Sequence, residues 1–473
     1  MSFSIPKPSA RSEHGVCVVG SGFAGVAVAT RLAEQGVDTV LLEAGGRTPP
    51  PVASEGSDER FPYAARGEAV FPFDWNRTIA IGGTSHRWSG VVSRFLPNDF
   101  RTASAFGLFA DWPLGFDDLR ADYDEAEALL STQGASPRPG AEPPRDRRYG
   151  IEWPVEDDAF SRSGAYQDLA FFPLAFSSRH PAGRAGDPIR LHEIELPRFT
   201  ALPAGTLRAE CAAVRLCERD GEIDAVDVVR PDGEVERIAA RSFVLAAGVL
   251  ETVRLLRQST SAAWPNGLGN RHDQLGRFVH AHPRHRSWVR RQGPWADLRA
   301  AYRSYAFCDA LRREGLGSVC LDVNLLGPEA GIDLTQEAEP TAESRVLFDP
   351  TRTDRWGRPL AILEASPSTV DRRTARRIAA LDAELCPLLL GTAERSAPSS
   401  VTWFHPAGGC RMGNDPEDAV VDRRGRVFGL ENLYVAGAAT FPTSGATNPT
   451  LTVVALALRL AEHLFASLGR DGI

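Results

Sequence analysis

Lysine is almost missing from this chain: Lys7 stands alone and every other basic residue is an arginine. We read that bias as the mark of a G+C-rich, bacterial genome rather than as chemistry. Net positive charge is also missing. The formal charge of −8 leaves no concentrated basic face to attract nucleic acid or an anionic membrane. No uncharged apolar run reaches the roughly eighteen residues of a membrane span, and the opening "MSFSIPKPSARSEHG" has no apolar signal core. The seven cysteines, at 17, 211, 217, 308, 320, 386 and 410, include no CxxC pair. A disulfide framework and a structural zinc site are therefore not expected, and a soluble cytoplasmic protein is. What is present is ordinary globular material: 43% apolar and 24% charged residues over 473 positions, enough for about two to three domains.

The stretch "VCVVGSGFAGVAVATRLAEQGVDTVLLEAG" reads as strand, glycine turn, helix, strand. Val16 to Val19 form a short apolar run suited to a buried parallel strand. Gly20, Gly22 and Gly25 form GxGxxG in that context. The first permits the tight turn, the second lets the backbone approach a pyrophosphate, and the third packs helix on strand. Free N–H groups and the helix dipole then favour phosphate at Ser21, Phe23 and Ala24. Glu43, followed by Ala44, ends the second strand 23 positions after Gly20, where an acid binds ribose hydroxyls and repels an NADP-type phosphate. The motif lies at the front of the chain and its partner segments come hundreds of residues later. That arrangement favours FAD over NAD.

At the other end, "ENLYVAGAATFPTSGATNPTLTVVALALRLAEHL" reads as a strand, Leu433 to Val435, running into Ala436-Gly437-Ala438, and then a helix start at Asn448-Pro449-Thr450. The helix is apolar nearly all round and so is expected to be buried. Its N-terminus would bring positive dipole potential beside a flavin's pyrimidine edge. Between these lies "WFHPAGGCRMG" (403–413). His405 is open to several readings there: a metal ligand with Cys410, a nucleophile's base, a structural histidine, or a proton acceptor serving a cofactor. Zinc needs three or four convergent ligands and this pair gives two. A hydrolase needs an activated nucleophile, and no GxSxG elbow is present.

Taken together, "HPAGGCRMG", "VVDRRGRVFGLENLYVAGAATFPTSGATNPTLTVVALALRLAEHL" and the N-terminal fingerprint resemble the glucose-methanol-choline (GMC) family of FAD-dependent oxidoreductases, nearest to its pyranose-oxidase-like branch. Three internal stretches agree. "IAIGGTSHRWSGVVSRF" (79–95) is similar to the family's second glycine motif, "DWPLGFDDLRADYDEAEALL" (111–130) to the segment after it, and "VERIAARSFVLAAGVLETVRLLRQS" with "LGRFVHAHP" to the returning strand and flavin-side loop. The resemblance implies an α/β fold: a Rossmann-like FAD-binding domain, discontinuous over 12–150, 205–290 and 400–473, with an α+β substrate-binding cap at 151–204 and 291–399. It places flavin contacts at Gly82, Gly83, Thr84, Ser85, Arg87, Trp88, Ser89, Gly90, Ala213, Ala247, Gly248, Gly437, Ala438, Asn448, Pro449 and Thr450.

The family oxidises alcohols by removing the hydroxyl proton and passing hydride to flavin N5. By family position His405 is the base, since a neutral imidazole accepts a proton at pH 7, and Asn448 holds the substrate oxygen where many members have a second histidine. Pyranose-oxidase-like members attach FAD covalently through a histidine aligned with Arg87. Here His86 precedes that position, so noncovalent FAD is expected, with His86 or Arg87 near the ring edge and Ser89 at the N5/O4 edge. The implied substrate is a sugar, glycoside or other polyol, with oxygen or another acceptor taking the electrons. A tailoring enzyme for a glycosylated natural product and a redox-neutral FAD lyase are the alternatives, and an inert FAD-binding scaffold is the non-enzyme one. Phe171, Phe172, Phe176 and Trp403 suit either stacking on a sugar face or core packing. "VHAHPRHRSWVRR" (279–291) reads as a solvated basic loop, "GASPRPGAEPPRDRRYG" (134–150) as a loop or lid, and "TQEAEPTAESR" (335–345) as an exposed excursion.

Overall fold

The computed structural model describes residues 13–49, 63–73, 77–133, 172–173, 176–177, 188–290, 299–326, 329–390 and 395–469. The 134–150 stretch and Phe171 lie outside the described residues, and Phe172 and Phe176 are described only as backbone of short strands.

Val16 to Val19 and Val40 to Leu42 are buried throughout, as continuous apolar runs in central parallel strands should be. Glu13–Val19 pairs in parallel with Thr39–Leu42 on one side and Val235–Leu245 on the other. Gly205–Arg208 extends the sheet beyond Thr39–Leu42, and Leu433–Val435 pairs in parallel with the end of Val235–Leu245. An antiparallel flap, Glu222–Val229 and Ala212–Arg219, completes the seven strands. Residues 13 and 435 thus share one sheet, which is the fold the two terminal motifs called for.

Helix Phe23–Glu34 buries Ala24, Gly25, Ala27 and Ala29. These small side chains let helices Thr450–Leu468 and Leu191–Ala201 pack against it. Thr450–Leu468 is, among the described helices, the one long and apolar enough in composition to cross a membrane. Arg459 and Glu462 interrupt its apolar run. Its apolar residues are buried here against Phe23–Glu34 and Arg120–Leu129.

A second, antiparallel sheet runs Arg395–Ala407, His280–Arg290, Glu329–Gln336, Val319–Leu326, Arg299–Ser304 and Phe172–Pro173. Its side chains alternate with the period of two that a pleated strand imposes. Val319, Leu321, Val323 and Leu325, with Ile332 and Leu334, form one core with Ile378, Leu381 and Leu385 of helix Thr369–Leu390. On the opposite face the cross-strand register lines up Arg286, Asp333, Asp322 and Arg303. A third sheet joins Arg345–Thr353, Pro359–Glu364 and Tyr63–Arg66.

Two local expectations are overturned. The described part of 279–291 is not a solvated loop: His280–Arg290 is an interior strand of the second sheet, and His280 and His282 are 2% and 1% exposed. Alternation there was a strand's period, hidden by the charged residues that share it. Nor is 335–345 simply an exposed excursion. Thr335 and Gln336 end a strand, and the buried Glu337 carboxylate accepts from Arg312 Nε and Nη2 at 2.9 and 2.8 Å. Arg312 also donates to the buried Asp99 at 2.6 Å, so these charges are internal because they pair.

Candidate active site

A cleft of about 1370 Å³, mouth included, opens along the carboxyl ends of the parallel strands, the edge at which open α/β sheets bind ligands. Its floor is the fingerprint turn: Gly20, Ser21, Gly22, Phe23 and Ala24. A Cβ on Gly25 would lie 1.8 Å from the carbonyl oxygen of Gly20, so that glycine brings helix to strand, whereas a Cβ on Gly22 would meet nothing within 4 Å. The open side of Gly22 is therefore a place for a ligand backbone to approach. Glu43 is 7% exposed. Its Oε2 accepts from the Ser21 amide (3.1 Å) and hydroxyl (2.7 Å), and its Oε1 from the Gly45 amide (2.8 Å). Burial pushes this carboxyl above the usual range, opposed by those hydrogen bonds. Ser21 Oγ also accepts from the Gly82 amide at 2.9 Å, tying the second glycine motif to the first.

In that second motif, Gly83–Arg87 form a short 3-10 turn. Ser85 Oγ lies 2.9 Å from His192 Nδ1. His86 Nε2 donates to the Ile81 carbonyl at 2.8 Å, and its ring centroid is 4.7 Å from that of His192. Trp88 packs edge-on against Phe23 at 4.9 Å.

His405 sits on strand Arg395–Ala407 at a bulge: between the pairs His282↔Phe404 and His280↔Ala407, one strand supplies Ala281 and the other both His405 and Pro406. His405 has φ +58°, a left-handed conformation that is costly for a residue with a Cβ. A regular strand would send adjacent Phe404 and His405 to opposite faces. The bulge re-aims His405 so that its Nδ1 lies 3.0 Å from His282 Nδ1. His405 is held well below the ordinary imidazole value, first by burial, then by His282, Arg284, Arg303 and Arg77. The neighbouring Pro406 lines the cleft.

Asn448 precedes helix Thr450–Leu468, but its side chain does not cap it. Asn448 Oδ1 accepts from Arg303 Nη2 at 2.8 Å. Arg303 is 2% exposed. Its fork grips Asp322 at 2.6 and 2.7 Å, and Nη1 donates to Ser93 Oγ at 2.7 Å. An amide whose oxygen is taken by a guanidinium can offer only its NH2 elsewhere. The Arg303 contact thus settles which way Asn448 points and leaves two donors for a neighbouring oxygen.

Of the residues singled out by sequence, the cleft brings together Gly20, Ser21, Gly22, Phe23, Ala24, Glu43, Ala44, Gly83, Thr84, Ser85, Ala213, Ala247, Gly248, Gly437 and Ala438. Gly25, Gly82, Arg87, Trp88, Ser89, Gly90, Asn448, Pro449, Thr450 and His405 are not part of its lining. Sequence reasoning missed Tyr63, Arg77, Thr78, Trp356 and Arg358, which are, and also His282 and Arg303. The buried Arg77 Nε and Thr78 hydroxyl have no hydrogen-bond partner among the described residues. The glycine floor, the acid and these two unsatisfied donors fit FAD, an extended dinucleotide carrying both anionic and hydroxyl groups. Cys410 is buried with its thiol pushed up by burial, which makes it inert.

Comparison with known proteins agrees with the fold. The model of the GMC oxidoreductase family matches residues 340–457, and that of an NAD(P)-binding Rossmann-like domain matches residues 18–76. The fructose dehydrogenase large subunit of Gluconobacter japonicus is 26% identical over 96% of this chain and 98% of its own length. Paromamine 6'-oxidase of Streptomyces fradiae is 28% identical over 96% and 91%. Among solved structures, pyridoxine 4-oxidase from Mesorbium loti superposes with a TM-score of 0.66 at 19% identity, covering 95% of this chain and 99% of that one. With its front and its end matched by these two models and its whole length shared with such relatives, the chain is similar throughout to the glucose-methanol-choline oxidoreductases, and it is an FAD-dependent alcohol oxidoreductase.

Proposed function

We propose that this enzyme oxidises a hydroxyl-bearing carbon of a sugar, glycoside or other polyol, with His405 as the base and noncovalent FAD. The observation that carries the reading is the convergence of a neutral imidazole and a fixed amide donor beside the cleft: both lie in the field of Arg303, which hydrogen-bonds Asn448 and depresses His405. An alcohol gives up hydride readily only as its oxygen gains alkoxide character. His405 Nε2, on the far side of the ring from His282, accepts the hydroxyl proton. The Asn448 amide donates to the oxygen as negative charge grows on it, and the Arg303 guanidinium behind strengthens that donor. Bound FAD supplies the acceptor for the hydride that leaves the carbon. The substrate then rests against the polar face of the second sheet, whose strands between residues 299 and 336 lie in the segment we assign to the cap.

The polyol class is supported by the relatives: besides the two above, a C-glycoside 3-oxidase of Microbacterium trichothecenolyticum is 28% identical over 86% of this chain. Noncovalent FAD is supported by His86, whose imidazole is engaged by Ile81 and His192. The test is a visible spectrum of purified protein before and after acid precipitation, followed by anaerobic titration with sugars, glycosides and simple alcohols. The reading expects flavin in the supernatant, bleaching by at least one polyol, and loss of bleaching in His405→Ala. Colour retained in the pellet refutes noncovalent binding, and undiminished bleaching in His405→Ala refutes the base.

A further inference from the structure

We infer that His282 is a positioning residue that sets the tautomer of His405 and so decides which nitrogen of that ring can take a proton from substrate. The inference rests on His405 being the base. His282 Nε2 lies 3.0 Å from the carbonyl oxygen of Gly445, and a carbonyl can only accept, so Nε2 carries a hydrogen. A neutral imidazole has one N–H, which leaves a lone pair on His282 Nδ1. That lone pair faces His405 Nδ1 at 3.0 Å, so the hydrogen between the two rings belongs to His405 Nδ1. His405 Nε2 is then bare, with its lone pair free for a substrate proton.

The opposite assignment needs a doubly protonated His282, and its surroundings resist that charge. His282 is 1% exposed. Burial first, then His280, hold its imidazole down to about 3, against the Gly445 and Ser444 backbone, with Arg303 lowering it further. The charged groups facing the pair are Arg77, Arg284 and Arg303. The nearby carboxylates are committed, Asp322 to Arg303 and Asp333 to Arg284 and Arg286. No carboxylate is hydrogen-bonded to either ring among the described residues. The base is therefore oriented by a neutral ring backed by a backbone carbonyl, so that no second charge lies behind the proton it receives. The general arrangement, a base fixed by a third group, is the one that activated sites require.

Two readouts test this, one of them without turnover. Histidine-selective 15N labelling of the holoenzyme, with His405→Ala and His282→Asn used for assignment, reports the His405 tautomer at pH 7. The inference expects the hydrogen on Nδ1, and a hydrogen on Nε2 overturns it. The rate of flavin bleaching is then compared in two variants matched for FAD content. His282→Phe removes the acceptor and is expected to slow bleaching by about 100-fold or more, the scale of a general base, with little change in KM. His282→Asn retains an acceptor oxygen near the Nδ1 position and is expected to recover most of that loss. Equal losses in the two variants reduce His282 to a packing residue and also overturn the inference. If His405→Ala still bleaches its flavin, the base reading fails, and the tautomer result stands or falls separately.

Discussion

His280 offers a quantitative check on how the active-site strand is held. Its ring is 2% exposed. Nδ1 donates to the Phe278 carbonyl at 3.0 Å and Nε2 accepts from the Ser444 hydroxyl at 2.8 Å. Burial pushes this imidazole down to about 4, with the Phe278 carbonyl opposing and Arg411 adding to the shift. The unfolded chain titrates near the ordinary value of about 6.5. Between these values the unfolded state binds a proton that the folded state refuses. The stability conferred by a neutral His280 is thus complete above about pH 6.5 and is lost as pH falls toward 4. From pH 7 to pH 5, one such imidazole accounts for a loss of about 1.8 kcal/mol. In His280→Gln that titration is gone, so the variant should lose less stability over the interval by that amount. Urea unfolding followed by tryptophan fluorescence, with FAD at one fixed excess, gives the four values needed. The double difference removes the cost of the substitution itself and the titration of other groups. Parallel losses in wild type and variant, within about 0.5 kcal/mol, would refute the reasoning.

The other predictions concern cofactor and catalysis. Gly22→Ala has open space on the protein side, so the apoprotein should keep its melting temperature while flavin content falls. Gly25→Ala drives a methyl into the Gly20 carbonyl and should lower both, and the reverse pattern would exchange the roles assigned to these glycines. Arg303→Lys keeps a positive charge near Asp322 but has no fork to hold Asp322, Ser93 and Asn448 together. Loss of a charge-assisted hydrogen bond of about 1.5–3 kcal/mol predicts flavin reduction slowed about 10- to 150-fold in stopped flow, and a wild-type rate removes Arg303 from the argument. With His405 as the proposed base, only its neutral form accepts the hydroxyl proton, so kcat/KM should hold above the His405 pKa and fall as pH drops through it. Because that pKa is depressed, with Arg284 among the causes, the acid limb should lie below the ordinary value. Arg284→Met should move the limb upward in pH, and an unmoved limb counts against the electrostatic account.

The dinucleotide half of the site was legible because its chemistry depends on backbone. Glycines 20, 22 and 25, Glu43, and the small residues at 437 and 438 have roles fixed by spacing to a strand end or a helix start. His405 and Asn448 were singled out by resemblance, but what surrounds them was not legible. His282 is 123 residues from His405 and Arg303 is 145 from Asn448, and only the register of the second sheet and one bulge make them neighbours. The same register explains the misreading of 279–291. Strands that turn a charged face toward a site carry no apolar alternation on that face, and the apolar face of His280–Arg290 is short. Arg77 and Thr78 had no periodic signal at all, since they follow 74–76 on the approach to the second glycine motif.

The two-residue period of the second sheet separates two kinds of selection. Odd-numbered positions from 319 to 325 answer to the helix that covers them, while even-numbered Asp322 and Asn324, with Asp333 and Arg286 across the register, answer to whatever lies over the polar face. A substitution on one side need not be felt on the other. A lineage could therefore change what rests on the polar face by rewriting alternate letters of four strands while the sheet went on folding from the letters in between.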